Sequence, residues 1–393
     1  MAFNFINDKL AEQKAKSRYR QRVCLQQSSK TNISSSSKTE PLITVNGKNY
    51  INFSSNDYLG LNHHADINKA MQDGVDKFGI SGSSSNLVTG FHYAHQVLEA
   101  TICEWLNKPK CLLFPSGFTA NMAFFQALGQ QKQTSTNSFF LDKLSHASML
   151  DGAFSSKAIV KRFAHNDMTQ LEHLLTQSTS NNKLIASEGV FSMDGDQAKL
   201  LELSALAKKH NAWLYVDDAH SIGVIGDQGQ GSHHLINADI TMATFGKAIA
   251  TSGAFLACDD NVHDYLINFA RHYIYSTAIS PAVAWATVKS IELIKTEQWR
   301  RDKINELSEL FIDLLDPNID IVSSQSSIKA IIIGDEKSTL AVSEKLKEAG
   351  IWLTAIRPPT VAEGTSRLRV TICANHNANN IKQLANYLND SLS

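Results

Sequence analysis

Two residues at the ends of apolar runs have the types needed for covalent chemistry on an amine. Lys247 follows ITMATFG, and Asp217 closes AWLYVD. A lysine amine forms an imine with an aldehyde, and a carboxylate at a strand end can keep a heterocyclic nitrogen protonated. Pyridoxal 5′-phosphate (PLP) needs both groups, one for attachment and one to keep its ring an electron sink. Singly, a lysine there is ordinarily a solvated charge and an aspartate an ordinary turn residue. The pair is what points to PLP chemistry.

Neighbouring residues fit the same use. Gly246, Ala248 and Ala250 are small enough to let a ring lie close to Lys247, and Thr244 offers a hydroxyl to phosphate. His220, in DDAH, can reach the phenolic oxygen of the ring or simply cap a turn. FPSGFTAN sets Ser116 and Gly117 between a strand and a helix, where unpaired amides bind phosphate. Pro-Ser-Gly is also common turn chemistry. His146, in LDKLSHASMLDG, offers an imidazole for stacking over the ring or a polar surface group. Ser192, in VFSMDGD, offers a hydroxyl to the ring oxygen or serves as a turn residue.

These positions need strands to end at them. KCLLFPSG, NSFFLD, KLIASEG, AWLYVDD, ITMATFGK and GAFLACD read as strands, separated by helical patterns such as TANMAFFQALGQ, MTQLEHLLTQS and LLELSALAKKHN. Alternation of this kind, with strands apolar throughout, predicts an α/β fold with a mostly parallel sheet covered on both faces. Ligands of such sheets lie beyond the carboxyl ends of the strands. Those ends carry Ser116-Gly117, Asp142, Glu188-Gly189, Asp217-Asp218 and Lys247.

The flanks read differently. Helical spacing of Phe3, Ile6, Leu10, Tyr19 and Val23 predicts a helix over 3–25, followed by a Ser-rich exposed loop over 26–38. A single long helix is expected from Pro281 through Leu315, ended by Pro317, and beyond it a small α/β domain. The expected organisation is 1–42 as N-terminal helix and loop, 43–285 as the large PLP-binding domain, and 286–393 as connecting helix and small domain.

The composition sets outer limits. The chain has 393 residues, 43% hydrophobic and 19% charged, with a formal net charge of -1. Two or three domains with a large core are expected, and no global charge favours nucleic acid or an anionic membrane. Cys24, Cys103, Cys111, Cys258 and Cys373 are scattered without a CxxC pair, so neither a metal site nor a disulfide framework is expected. No apolar stretch reaches the ~20 residues of a membrane span. The start is basic and loosely amphipathic, but Asp8, Glu12 and its single serine, Ser17, speak against a transit peptide. A cytoplasmic protein is expected.

SNDYLGL, SGFTAN, LSHAS, EGVFSMDGD, VDDAH, TFGK and ARHYIYST follow one another in this order. The set resembles the α-oxoamine synthases over nearly the whole chain. The resemblance implies a type I PLP-dependent transferase fold, with a large mostly parallel sheet domain and a smaller C-terminal α/β domain. It implies an acyltransferase that condenses an amino acid with an acyl thioester and loses CO2. IRPPTVAEGTSRLRV (Ile356–Val370) resembles the biotin-pathway branch, which implies L-alanine and a pimeloyl thioester of acyl carrier protein or coenzyme A. A sister activity on glycine or serine and a non-catalytic relative of the fold are the alternatives.

Family roles carry over residue by residue. They put Lys247 at the imine, Asp217 at the pyridine nitrogen, His220 and Ser192 at the ring oxygen, and His146 over the ring. Thr244 and the Gly117 and Phe118 backbone serve the phosphate. Arg369 holds the amino-acid carboxylate, and Thr360 and Arg20 the acyl substrate. Ser276 and Thr277 reach the phosphate of the neighbouring subunit in a homodimer with shared active sites. FARHYIYSTAIS (Phe269–Ser280) reads as its apolar contact face, with Phe269, Tyr273, Ile274 and Tyr275. The chain departs from the family in GISGSSSNLVTG, in Ala248-Ile249-Ala250 after the lysine, and in Ser221-Ile222 after His220. In the first two, glycines are usual; in the third, a Gly-Thr pair is common.

Overall fold

The computed structural model describes residues 3–26, 41–130 and 136–392. The Ser-rich loop expected over 26–38 lies outside them from residue 27 onward. Helix α1 (Phe5–Ala15) precedes the hairpin β1 (Leu42–Val45) and β2 (Lys48–Asn52). Helices α2 (Ala65–Phe78) and α3 (Tyr93–Leu106) lead to β3 (Lys110–Phe114) and α4 (Gly117–Leu128). Then come β4 (Asn137–Asp142), α5 (Ala147–Phe154), β5 (Ile159–Phe163), α6 (Met168–Thr176), β6 (Asn182–Glu188) and α7 (Leu200–Lys209). Strands β7 (Trp213–Asp217), β8 (Ile240–Thr244) and β9 (Ala254–Cys258) are followed by α8 (Asp260–Phe269), α9 (Arg271–Ile274), α10 (Pro281–Thr296) and α11 (Trp299–Leu314). The chain closes with β10 (Ile328–Gly334), α12 (Glu336–Glu348), the short β11 (Ile351–Trp352) and β12 (Ala355–Ile356), β13 (Ser366–Thr371) and α13 (Ala378–Leu392).

Two compact units result. Among the described residues, one holds those of 59–192 and 197–301, and the other holds those up to Tyr58, Met193–Asp196 and those from Asp302 on. Residues 43–58, expected in the large domain, therefore group with the C-terminal residues. The C-terminal division falls at 301/302 rather than 285/286. Pairing explains the first difference, because β11 joins β2 in parallel, with Ile351 opposite Ile51.

The first unit is built on a seven-stranded sheet of order β3-β9-β8-β7-β6-β4-β5. Only β9 runs against the others, so the expected mostly parallel α/β sheet is what forms. Side chains alternate across each strand. In β4, Phe139 and Leu141 enter one core with Phe124, Phe125 and Tyr215, while Phe140 enters a second with Leu214 and Val216. Helices α4, α5 and α8 cover the first face, and α6 and α7 the second. A strand apolar on both faces is stable only when both are covered, which is why these strands read as continuous apolar runs.

Three expectations are corrected. The N-terminal helix is shorter than 3–25: Ser17 adopts a φ of 55°, and Arg18 pairs with Glu336 and Glu363 at 2.7 and 2.8 Å. Those ion pairs take the chain out of the helical path, so Tyr19 and Val23 lie in an exposed segment. The helix after Pro281 is two helices, broken at Glu297-Gln298. Here Arg301, 3% exposed, donates to the Ile294 carbonyl at 2.8 Å and the Asp227 carbonyl at 2.9 Å. Arg300 donates to the Leu59 carbonyl at 2.8 Å. Buried guanidiniums need such acceptors, and Arg301 caps the last turn of α10 at Ile294. Finally, Tyr273 is buried against Phe114, ring centroids 5.5 Å apart, so it is core and not part of an outward face. Phe269 and Tyr275 are exposed.

In the second unit, β10, β13 and β12 form an antiparallel sheet. His376, 2% exposed, stacks on Phe53 at 4.3 Å. Its Nδ1 accepts from the Cys373 amide at 2.9 Å and its Nε2 donates to the Asn52 carbonyl at 3.2 Å. Burial pushes its pKa down from 6.5 to about 4. The fold therefore holds the ring neutral while the unfolded ring protonates. This contribution is fully present above about pH 6.5 and is lost as pH falls toward about 4, amounting to about 3 kcal/mol. Urea unfolding at several pH values should show His376→Gln losing less stability across that window than wild type. Parallel profiles would contradict the assignment.

Candidate active site

Strands β6 and β7 pair in a register that sets Glu188 beside Asp217, so both carboxyls leave the sheet on one face at its carboxyl edge. Asp217 shares that face with Tyr215, two residues before it. It is 4% exposed. Its Oδ2 accepts from Asn121 Nδ2 at 2.9 Å, and its Oδ1 from the Ala219 amide at 3.0 Å. Both donors are neutral, so the hydrogen bonds of this buried carboxyl come from dipoles. Glu188 is 2% exposed and its Oε1 has no hydrogen-bond partner. Burial, reinforced by Asp217 next to it, holds its pKa well above the usual carboxylate range.

Asp218 points elsewhere. The hydroxyls of Ser221 and Ser232 donate to it, and the Ser232 amide does so at 2.8 Å. Burial raises its pKa to about 6. A Cβ on Gly189 would overlap Asp218 Oδ1, so only glycine fits there. Ser221, one of the departures from the family pattern, is thus absorbed by a structural carboxyl.

Lys247 stands in the tight turn after β8, where the Thr251 amide donates to the Phe245 carbonyl and the Ala250 amide to the Lys247 carbonyl, both at 2.9 Å. Its Nζ lies 2.7 Å from Nε2 of His220, which is 7% exposed. One of two nitrogens this close must accept from the other.

Helix α4 begins at Gly117. The N-cap Ser116 accepts from the Thr119 amide at 3.1 Å, which leaves the Gly117 and Phe118 amides without intrahelical acceptors. A Cβ built on Gly117 would lie 3.7 Å from Thr244 Cβ, so the end of β8 abuts this helix start. The Thr244 hydroxyl donates to the Gly253 carbonyl at 2.9 Å. Serving a phosphate would require it to turn.

His146 is the exposed N-cap of α5, its Nδ1 2.7 Å from Ser148 Oγ and its ring edge-on to Phe118 at 6.4 Å. Loss of water around the ring lowers its pKa, Asp217 opposes this, and Lys247 adds to it. Ser192 is half-buried in the loop after β6, which the Val190–Gln197 bridge closes. Thr277 bridges Ser85, and the Ala278 amide donates to the Ser84 carbonyl at 2.9 Å. Ser276 and Thr277 therefore sit against the serine-bearing segment of their own chain.

In the second unit Arg369 is 8% exposed. It donates to Asn56 Oδ1 at 3.2 Å, Thr371 Oγ1 at 3.3 Å and Tyr58 Oη at 3.3 Å. Arg20 donates to Thr360 Oγ1 at 3.0 Å, both residues exposed.

Three residues given no role in the sequence reading complete the large-unit cluster: Glu188, Asn121 and Ser148. Asn121 had a signal in the sequence, since it precedes Phe124 and Phe125 by three and four residues. It therefore shares their buried helix face.

These side chains fit PLP. A buried carboxylate with only neutral donors calls for a cation, which a protonated pyridine nitrogen supplies. Lys247 offers an amine suited to attachment, and the start of α4 suits a phosphate. Among the described residues no cluster of His, Cys, Asp or Glu is arranged for a metal ion, and no helix is long and apolar enough to cross a membrane.

Residues 48–388 match the family model for aminotransferase class I and II. The 8-amino-7-oxononanoate synthase of Vibrio atlanticus (strain LGP32) is 45% identical over 351 residues, covering 88% of this chain and 85% of that protein. The solved 8-amino-7-oxononanoate synthase of Francisella tularensis is 29% identical with a TM-score of 0.76, covering 87% of this chain and 98% of that one. A serine palmitoyltransferase variant of S. paucimobilis, solved with PLP and myriocin bound, shares the fold at 24% identity and a TM-score of 0.86, over 99% and 97% of the two chains. On a family match across most of its length and a synthase relative this similar, the chain belongs to the aminotransferase class I and II family, among its 8-amino-7-oxononanoate synthases.

Proposed function

We propose that this chain is a cytoplasmic PLP-dependent acyltransferase of biotin biosynthesis. It condenses L-alanine with a pimeloyl thioester of acyl carrier protein or coenzyme A, giving 8-amino-7-oxononanoate, CO2 and free carrier. The observation that carries this reading is Lys247 Nζ held 2.7 Å from His220 in the unit where Asp217 is buried, in a chain 45% identical to a synthase of that name.

When bound, the cofactor withdraws electrons from the amino-acid α-carbon, easing loss of its proton and later of CO2. Lys247 would be the point of attachment for the cofactor and, as a free amine, the base for the α-proton. His220 gives Nζ a hydrogen-bond partner and, with Ser192, serves the ring oxygen. Asp217 keeps the ring nitrogen protonated. Glu188 stays uncharged beside it, so the two carboxyls do not compete for one cation. His146 covers the ring. The Gly117 and Phe118 amides and the Thr244 hydroxyl take the phosphate, joined by Ser276 and Thr277 of the partner subunit in a homodimer. Arg369 takes the alanine carboxylate, and Arg20 with Thr360 the acyl chain.

The reaction is tested by mass spectrometry of products from L-alanine or glycine with pimeloyl-coenzyme A, pimeloyl-acyl carrier protein or acetyl-coenzyme A. Product of the expected mass is predicted from alanine with a pimeloyl donor. Turnover confined to glycine and acetyl-coenzyme A would overturn the substrate assignment.

Asp217→Asn should retain the fold and lose about a thousandfold in kcat, on the order of 4 kcal/mol of barrier. Near-wild-type turnover would remove Asp217 from its role.

Shared sites are tested by mixing inactive Lys247→Ala and Thr277→Arg chains under conditions of subunit exchange. One heterodimer site then has both residues intact, so part of the activity should return. Zero activity after proven exchange would exclude sharing.

A further inference from the structure

Behind His146, buried side chains form an unbroken line of hydrogen bonds to Asp217. Asn121 Nδ2 donates to Asp217 Oδ2 and to Ser148 Oγ, both at 2.9 Å. The Tyr215 hydroxyl donates to Asn121 Oδ1. Ser148 Oγ lies 2.7 Å from His146 Nδ1, and the Ser148 amide reaches the same nitrogen at 3.3 Å. Asn121 is 1% exposed and Ser148 and Tyr215 are fully buried, so water does not compete for these bonds.

We propose that Asn121 and Ser148 are positioning residues that hold the His146 ring in one orientation and in the tautomer with its proton on Nε2. The directions of the bonds follow from what each group can do. An ionised Asp217 only accepts, so the amide nitrogen of Asn121 faces it and the amide oxygen faces the phenol. The second hydrogen of that nitrogen goes to Ser148 Oγ. The serine hydroxyl hydrogen is then left for His146 Nδ1, which also receives the Ser148 amide hydrogen. With two donors aimed at Nδ1, the ring proton sits on Nε2.

The consequence is electrical. A ring covering a protonated pyridine is best uncharged, since two stacked cations repel. The charged groups facing His146 do not enforce this by themselves. Asp217 on β7 and Asp151 on α5 favour the cation, and Lys247 opposes it. Glu188 on β6 bonds the His146 backbone rather than its ring. Loss of water around the ring lowers its pKa first, and the two donors at Nδ1 favour the same neutral form. The proposal rests on reading His146 as the group that covers the cofactor.

The test uses holoenzyme labelled with carbon-13 and nitrogen-15 in histidine, with His146 signals identified by their loss in His146→Asn. The wild type should show the Nε2–H tautomer, with a titration midpoint below that of free histidine. A ring proton on Nδ1 in the wild type overturns the proposal whatever any variant does. Ser148→Ala should let Nδ1–H appear, move the ring's titration midpoint upward and cut kcat about tenfold, the effect of one hydrogen bond. Ser148→Thr should restore the wild-type tautomer. Unchanged His146 signals in a folded, PLP-loaded Ser148→Ala also overturn it. Wild-type turnover reports separately on the proposed reaction, so the two readings fail independently.

Discussion

A carboxyl buried at the end of β7, Asp217, is the constraint the site is arranged around. Asp217 is taken out of water without a cationic side chain as a hydrogen-bond partner. A charge there is tolerated only if dipoles solvate it and a cation is to come. The sheet register makes the demand sharper by setting Glu188 alongside. Two carboxyls so placed cannot both ionise cheaply, and burial decides that Glu188 keeps its proton.

The surrounding core holds that arrangement in place. Tyr215 is fully buried and touches Phe124 and Phe125 at ring distances of 4.7 and 5.1 Å. Its hydroxyl bonds Asn121, which in turn bonds Asp217. Packing of one helix face against one strand face thus fixes the polar residue one turn nearer the helix start. Close-packed interiors leave little room for such side chains to shift. The core of this unit is therefore part of the chemistry, since it sets where the charge and its donors lie.

The departures from the α-oxoamine synthase pattern have local costs. Ala250 and Ser83 adopt φ values of 59° and 56°, a region that costs residues other than glycine roughly 1–2 kcal/mol. Backbone bonds over-determine the turn at Ala250, with the Ala250 and Thr251 amides both satisfied within it. Ser83 precedes the stretch that Thr277 and Ala278 pin from the other side. Both strained residues thus sit where neighbouring bonds hold the backbone.

The sequence by itself determined the kind of chemistry and the kind of fold. Apolar runs ending in Asp217 and Glu188 or leading to Lys247 are visible as text, because a strand buried on both faces must be apolar throughout and its polar end must lie at an edge. Motif order supplied the family. The tertiary structure decided what touches what. His220 and Lys247 are 27 residues apart, and their 2.7 Å contact exists only because the turns after β7 and β8 converge. Asn121 and Ser148 look like ordinary helix residues until Tyr215 and Asp217 arrive beneath them. Helical periodicity likewise ran through Glu297-Gln298 and on to Val23, while buried guanidiniums at Arg300 and Arg301 and the ion pairs of Arg18 broke the chain's path there. Local pattern reports which face of an element is apolar. The partners that satisfy a buried charge come from elsewhere in the chain, and only folding brings them together.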